Sequence, residues 1–259
     1  MKPVCLIIGA GAGIGGHVGI RFAREGYHVV LCRRSNALGL ENLIKEIEQD
    51  GGSAEGRLIN IVEENAIENL VSDIEKNTGS IEVVIHNIGA QIGNRRLSET
   101  PLKTFELGWR LSCFSLFRLA YSVLPLMAQR GKGTLLVTSS TAAQRGNAGQ
   151  HSHAAAMGGR RMLCQSLNAE FAMQNIHVAH IVIDGAVDAP DTLGKMLGDE
   201  AFEKLRQEKG SEDGLMLPEY IADTYYHIAQ QHRSVWTHEL DLRSFSDEAW
   251  WNHAVNIEF

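Results

Sequence analysis

Short apolar runs rich in β-branched residues recur along this chain, and stretches with apolar positions at helical spacing lie between them. Val4–Ile8 is the first run, closed by glycines, and Ile14–Glu25 follows with a helical period. Tyr27–Cys32 reads as a second strand, and Leu40–Asp50 as a helix stopped by Gly51 and Gly52. Arg57–Ile61 is a weaker third strand, Ile67–Lys76 a helix, and Ile81–Asn87 a fourth strand. Leu102–Arg130 predicts one or two long helices, with Pro125 bending or tightening the later part. Thr134–Ser140 and Ile176–Asp184 are strands on either side of a small-residue helix, Ala154–Gln174. Leu193–Lys209 and Pro218–Gln230 are helical, and Ser234–Leu242 is a last strand before an aromatic tail.

The strand runs are mostly apolar without alternation, as expected of strands buried on both faces. Strands alternating with helices predict an α/β fold, a Rossmann-type doubly wound parallel sheet with helices on both faces. No linker or break in composition divides the chain, so residues 1–259 are expected to form one domain.

Composition narrows the partners. The net charge is −7 over 259 residues, which argues against nucleic acid and anionic membrane. No stretch reads as long or uncharged enough to span a bilayer, and "VCLIIGAGAGIGG" reads as strand plus loop, not as a leader. Cys5, Cys32, Cys113 and Cys164 are scattered, with no CxxC spacing. They are expected to be reduced, buried thiols in a cytoplasmic protein.

Chemistry first shows in "GAGAGIG". It sets Gly9, Gly13 and Gly15 between the first strand and a helix opening at Ile14. Glycines let backbone approach a pyrophosphate, and the helix N-terminus supplies N–H groups and positive potential. No Walker lysine follows. Where an acid would bind the ribose 2′-hydroxyl of NAD, the chain has Arg33 and Arg34. Guanidinium forks suit a 2′-phosphate, which favours NADP(H) over NAD(H). The alternative for this pair is a solvated surface.

The chain resembles the short-chain dehydrogenase/reductase family over nearly its full length. The resemblance rests on "GAGAGIG", on "HNIG" at His86–Gly89, on "VLPLM" at Val123–Met127, on "VTSS" at Val137–Ser140 and on "IDGAVDAP" at Ile183–Pro190. The tail "WTHELDLR", Trp236–Arg243, is similar to that of a group of poorly characterised members. The resemblance implies about seven parallel strands, NAD(P)(H) at the strand ends, a small carbonyl or alcohol substrate, and a homodimer or homotetramer. It places the substrate-orienting serine at Ser140, the proton-transferring tyrosine at His153, the ribose-binding lysine at Met157 and the water-holding asparagine at Ser112. Asn60 stands where an acid commonly meets the adenine, and Asn87 and Gly89 are retained. In the loop after the sixth strand, Gly185 and Val187 are expected at the cofactor, Asp184 replaces a proline and Ala189 replaces the nicotinamide-facing threonine. Residues 190–215 correspond to a substrate lid, in which Leu193, Met196, Leu197 and Phe202 form one apolar face, lining a pocket or packing the helix down.

Three of these four catalytic positions have changed chemistry. Met157 has no charge and no hydrogen to donate. Imidazole has an ordinary pKa of about 6.5, suited to proton transfer, but His153 is shorter than a tyrosine. It is either an acid acting with Ser140 or a helix-start residue with no proton role. Ser140 is either retained machinery or a strand-end cap, and Ser112 lacks the reach of an amide. Arg160 and Arg161 read as solvated or interhelical, and "HSH" at His151–His153 has no metal spacing, so no metal is expected. The leading expectation is an NADP(H)-binding oxidoreductase by family whose hydride chemistry is weakened or lost. The alternatives are an active NADPH-dependent carbonyl reductase or alcohol dehydrogenase using Ser140 and His153, and a non-catalytic structural partner. Trp236, Trp250, Trp251 and Phe259 suggest a subunit contact or a tail folded on its own core.

Overall fold

Residues of β1 (Val4–Ile8) point alternately to two faces of one sheet, and both faces are buried. Val4, Leu6 and Ile8 join one apolar cluster and Cys5 and Ile7 the other, which is why the run is uninterrupted. The computed structural model describes residues 2–89, 95–249 and 251.

In chain order β1 leads through α1 (Ile14–Arg24) to β2 (His28–Arg33), and α2 (Ala37–Gln49) leads to β3 (Ser53–Leu58). α3 (Ala66–Asp73) and a wider turn at Ile74–Thr78 precede β4 (Ile81–His86). α4 (Leu102–Trp109) runs through a π-type turn at Arg110–Phe114 into α5 (Ser115–Arg130), followed by β5 (Gly133–Ser140), α6 (His151–Phe171) and β6 (Ile176–Asp184). The short α7 (Lys195–Leu197), α8 (Asp199–Gly210), α9 (Pro218–Ala229) and β7 (Glu239–Arg243) complete the order. The sheet has seven strands in the order β3-β2-β1-β4-β5-β6-β7, and every pairing is parallel. The expected Rossmann-type architecture is therefore present. Val71 of α3, Leu119 of α5 and Leu167 of α6 cover one face, and Val18 of α1, Ile47 of α2 and Ile221 of α9 the other.

Several boundaries differ from expectation. The third strand is Ser53–Leu58, not Arg57–Ile61. It lies on the sheet edge and is only partly buried, so it lacks an apolar run, while Ile59 to Ile61 leave the sheet and turn toward a cleft. The last strand is confined to Glu239–Arg243, after a turn at Arg233–Val235. α6 opens at His151, three residues before the expected Ala154, so His153 is in its first turn. The helix expected over Leu193–Lys209 breaks at Gly198, whose φ of 85° is left-handed. Its expected apolar face is not formed: Phe202 is buried, but Met196 and Leu197 are 61% and 42% exposed.

The 29 residues Leu102–Arg130 form one helical stretch that is long and apolar enough, by length and composition, to cross a membrane. This corrects the expectation that no such stretch exists. Half of its most apolar window is buried in the fold, as for a helix packed on a sheet. Trp236 stacks on His177 of its own chain, with ring centroids 4.8 Å apart, and Trp251 is exposed beneath the Arg243 guanidinium. Trp250 and Phe259 lie outside the described residues.

Candidate functional site

The strand order reverses at β1, flanked by β2 and β4. Chains leaving the C-terminal ends of β1 and β4 diverge there, and crevices at such switch points receive ligands. Here the crevice is a cleft of about 490 Å³. Gly9 begins its floor with φ of 103° and stands tight against the Asn87 carbonyl, leaving no place for a side chain. Asn87 fixes the turn from the β4 side: its Nδ2 donates to the Gly9 carbonyl at 2.9 Å, and its backbone N–H donates to the Ile8 carbonyl at 2.8 Å. Gly13, Ile14 and Gly15 carry the wall into α1, and Gly89 faces open space beyond β4. No side chain caps α1, and its first turn holds no acid. Its free N–H groups and positive end suit a phosphate. A dinucleotide pyrophosphate fits this cradle. Ala189 leans over it so closely that a Cβ at Gly13 would lie 2.7 Å from the Ala189 Cβ.

At the β2 end, the two arginines part company. Arg34 is exposed at the cleft edge. Arg33 is only 13% exposed, and its Nη2 donates to Asp191 Oδ2 at 2.9 Å. The alternative of a solvated arginine pair therefore fails for Arg33. Lys195 binds the other Asp191 oxygen at 3.0 Å, and Lys195 first and Arg33 next hold that carboxyl below its usual range. Asn60 lies on the same wall and donates to Glu63 Oε1 at 3.0 Å.

At the other end, β5 and α6 meet. Ser140 Oγ lies 3.0 Å from His153 Nε2, so the shorter imidazole does reach the serine. Met157, one turn along α6, is 2% exposed, and its sulfur accepts a long hydrogen bond from Ser139 at 3.7 Å. It packs toward β5 as well as bordering the cleft. Val187 also lines the cleft, and pairs with Met216. Two expected residues lie elsewhere. Gly185 borders a separate depression beside Ser140 and His153, because the chain turns there toward Met216 and Ser244. Ser112 is fully buried and its hydroxyl has no partner among the described residues, since it lies in the π-type turn that packs into the core.

The largest departure is Arg160. It is not solvated, and its one interhelical bond, to the Ser112 carbonyl, is part of a larger set: it is 1% exposed, borders the cleft, and its guanidinium also donates to the carbonyls of Thr138 and Ile88. Burial draws its pKa down to about 10, so it remains a cation near neutrality. Its position seven residues after His153 is two helical turns, which puts both on one face; that spacing was the available signal. Asp191 and Thr192, also on the cleft wall, had no comparable signal in the sequence. Arg161 instead forks onto Glu239, both bonds at 2.7 Å. His86 contacts Ser115 Oγ at 2.8 Å, and that hydroxyl donates to the Leu111 carbonyl, so His86 Nε2 carries the hydrogen. Burial, helped by Arg160, keeps the His86 ring neutral.

The four cysteines are free and buried, and burial raises each thiol's pKa, to about 12 for Cys32 and Cys164. Among the described residues no group of three or more His, Cys, Asp or Glu is arranged to hold a metal.

The chain is similar to known proteins in sequence and fold. A profile of the family described as short chain dehydrogenase matches residues 3–195. The 7alpha-hydroxysteroid dehydrogenase of Escherichia coli K12 is 30% identical over 202 residues, which are 78% of this chain and 77% of that one. A short-chain dehydrogenase from Rhodopseudomonas palustris superposes with a TM-score of 0.77 at 30% identity, over 95% of this chain and all of the other. The structure of a 7 alpha-hydroxysteroid dehydrogenase complexed with NADH and 7-oxo glycochenodeoxycholic acid gives 0.80 at 27% identity, over 93% and 92% of the two chains. With this fold, the glycine cradle at the switch point and these matches, the chain belongs to the short-chain dehydrogenase family.

Proposed function

We propose that this protein is an active NADP(H)-dependent oxidoreductase that interconverts a small carbonyl compound and its alcohol, with Ser140 orienting the oxygen and His153 moving the proton. The observation that carries this reading is the 3.0 Å contact between Ser140 Oγ and His153 Nε2 beside the cleft. A bound nicotinamide supplies or accepts the hydride. In the reducing direction the Ser140 hydroxyl donates to the carbonyl oxygen, and protonated His153 gives that oxygen the proton that completes the alcohol. In reverse, neutral His153 takes the hydroxyl proton. An imidazole needs no neighbouring cation to bring it into range near neutral pH. Arg33 and Arg34 support the 2′-phosphate form of the cofactor, held by the turn at Gly9–Gly15, by Asn60 and by the backbone near Asn87, Gly89 and Val187. Residues 190–215 act as the lid, supported by Asp191 and Thr192 on the cleft wall.

The test is oxidation of NADPH across a panel of ketones and aldehydes, with the wild type beside His153→Phe. Loss of about 100-fold or more in kcat, with unchanged NADPH affinity, supports the assignment. Turnover that survives His153→Phe overturns it. Met157, turned to Ser139, favours a second reading, a cofactor-binding protein without catalysis. NADPH binding with no turnover on any carbonyl or alcohol would select it. The free, buried thiols support a reducing compartment such as the cytoplasm. The exposed, stacked aromatic row Trp109–Phe114–Phe117–Tyr121, running from α4 through the π-type turn into α5, supports a homodimer or homotetramer, which sedimentation would measure.

A further inference from the structure

Met157 leaves the site without the ammonium the family places there, yet the site is not without a cation. We propose that Arg160 is the charged positioning residue of this cleft: it ties the ends of β4 and β5 to the helix at Ser112, and its uncompensated charge favours negative charge on an oxygen held between Ser140 and His153. This inference rests on the catalytic reading above.

The three partners of the guanidinium are all backbone carbonyls. Thr138 lies two residues before Ser140, Ile88 follows Asn87, and Ser112 is in the π-type turn. A guanidinium carries five N–H donors; three bonds to carbonyls leave donors over, and among the described residues Nε has no partner. Carbonyl dipoles solvate the cation but do not cancel its charge. The titratable groups near it are Cys113, Cys164, Tyr225 and His86. Burial raises the thiols and the phenol and lowers the imidazole, so all four are neutral near pH 7. His180, more distant, is also lowered, and its partner Glu239 is already forked by Arg161. A buried cation with no counter-ion is costly. A neutral donor at position 160 could serve those carbonyls without the cost of burying a charge, and the charge itself is what the cleft gains. Arg160 borders the cleft, and on the catalytic reading the oxygen undergoing reduction would gain negative charge there. The carbonyl bonds also hold Thr138, and with it the strand end that presents Ser140.

The readout is the imidazole pKa of His153 in cofactor-free protein, measured by NMR. The charged and titratable residues that share a depression with His153 are Arg95, Arg145, His151, Asp184, Asp247 and Glu248, with Arg33, Arg34 and Asp191 farther along the cleft, and they are common to every variant compared. Arg160→Met removes the charge and is expected to raise the His153 pKa by about half a unit or more. Arg160→Lys keeps the charge and is expected to leave it within about 0.2 units. Should Arg160→Met fail to fold, Cys164→Asp sets a carboxylate one turn from Arg160 and neutralises the charge without removing the carbonyl bonds; the same upward shift is expected. A His153 pKa unmoved in a folded Arg160→Met or Cys164→Asp protein overturns the inference and leaves Arg160 a purely structural residue. Absence of turnover on every substrate would sink the catalytic reading and leave this titration standing.

Discussion

Arg33, at the end of β2, and Asp191, in the helical turn Pro190–Gly194 that follows the loop after β6, form an ion pair of 2.9 Å on the wall of the cleft. The guanidinium best placed for a 2′-phosphate is thus already engaged by a carboxylate from the segment read as a lid. A phosphate must displace Asp191 or share Arg33 with it, and Lys195 stands ready to keep the released carboxylate. Asp191→Asn is expected to tighten NADPH binding roughly 3- to 10-fold, the scale of about 1 kcal/mol, and to leave NADH binding unchanged. Fluorescence titration of both cofactors checks this. Because Lys195 and then Arg33 hold the Asp191 carboxyl below its usual range, the acid stays ionised above about pH 5, so any change in NADPH over NADH discrimination between pH 5.5 and 8 should follow the second ionisation of the 2′-phosphate, at about pH 6, and should be the same in wild type and Asp191→Asn.

Ser140 and His153 should separate by function although they touch. Ser140→Ala removes a donor to the substrate oxygen but leaves the cofactor cradle intact. The expected loss is about 100-fold in kcat, with NADPH affinity within about twofold of wild type. A similar loss in both quantities would mean that the serine merely shapes the strand end.

Acid stability should be governed by buried histidines. Burial lowers His86 well below the ordinary imidazole range, lowers His177, and brings His180 down to about 4. Glu239, 3.0 Å away, pulls the His180 pKa upward, but burial outweighs it. In the unfolded chain these rings take up protons near pH 6.5, while in the folded protein they do so only at lower pH, well below the ordinary range for His86 and at about 4 for His180. The unfolded state therefore binds more protons in this window, and stability present above pH 6.5 is lost as pH falls toward 4, by up to about 1.4 kcal/mol per pH unit for each ring. The melting temperature, followed by circular dichroism, should drop several degrees between pH 7 and 5. His180→Gln should lessen that drop.

The sheet was legible because buried parallel strands leave an unbroken apolar signature: β1, β2, β4, β5 and β6 all begin and end within about two residues of their predicted limits. The edge strand β3 was misplaced because partial burial imposes no such pattern on Ser53–Leu58. At the site, glycines announce themselves, since Gly9 and its neighbours are there for want of a side chain. Arg160 did not. An arginine is ordinarily solvated, and only the tertiary meeting of Thr138, Ile88 and Ser112 carbonyls makes a buried place for one. Asp191 was equally silent, because its partner Arg33 is far away in sequence and joins it only in the folded chain.

Restoring the family's lysine at position 157 should harm this protein. Met157 is 2% exposed and lies three residues before Arg160 on α6, the spacing of neighbours on one helix face. Met157→Lys would set a second cation beside one that has no counter-ion, and remove the sulfur that accepts from Ser139. The expected cost is about 2–4 kcal/mol in urea unfolding. In Arg160→Val the first cation is absent, so the same lysine should cost much less, and the two substitutions together should be at least about 1 kcal/mol more stable than additivity allows. A double-mutant cycle measures this difference. Strict additivity would show that the two positions do not sense each other's charge, and that Met157 was exchanged for reasons unconnected with the buried arginine.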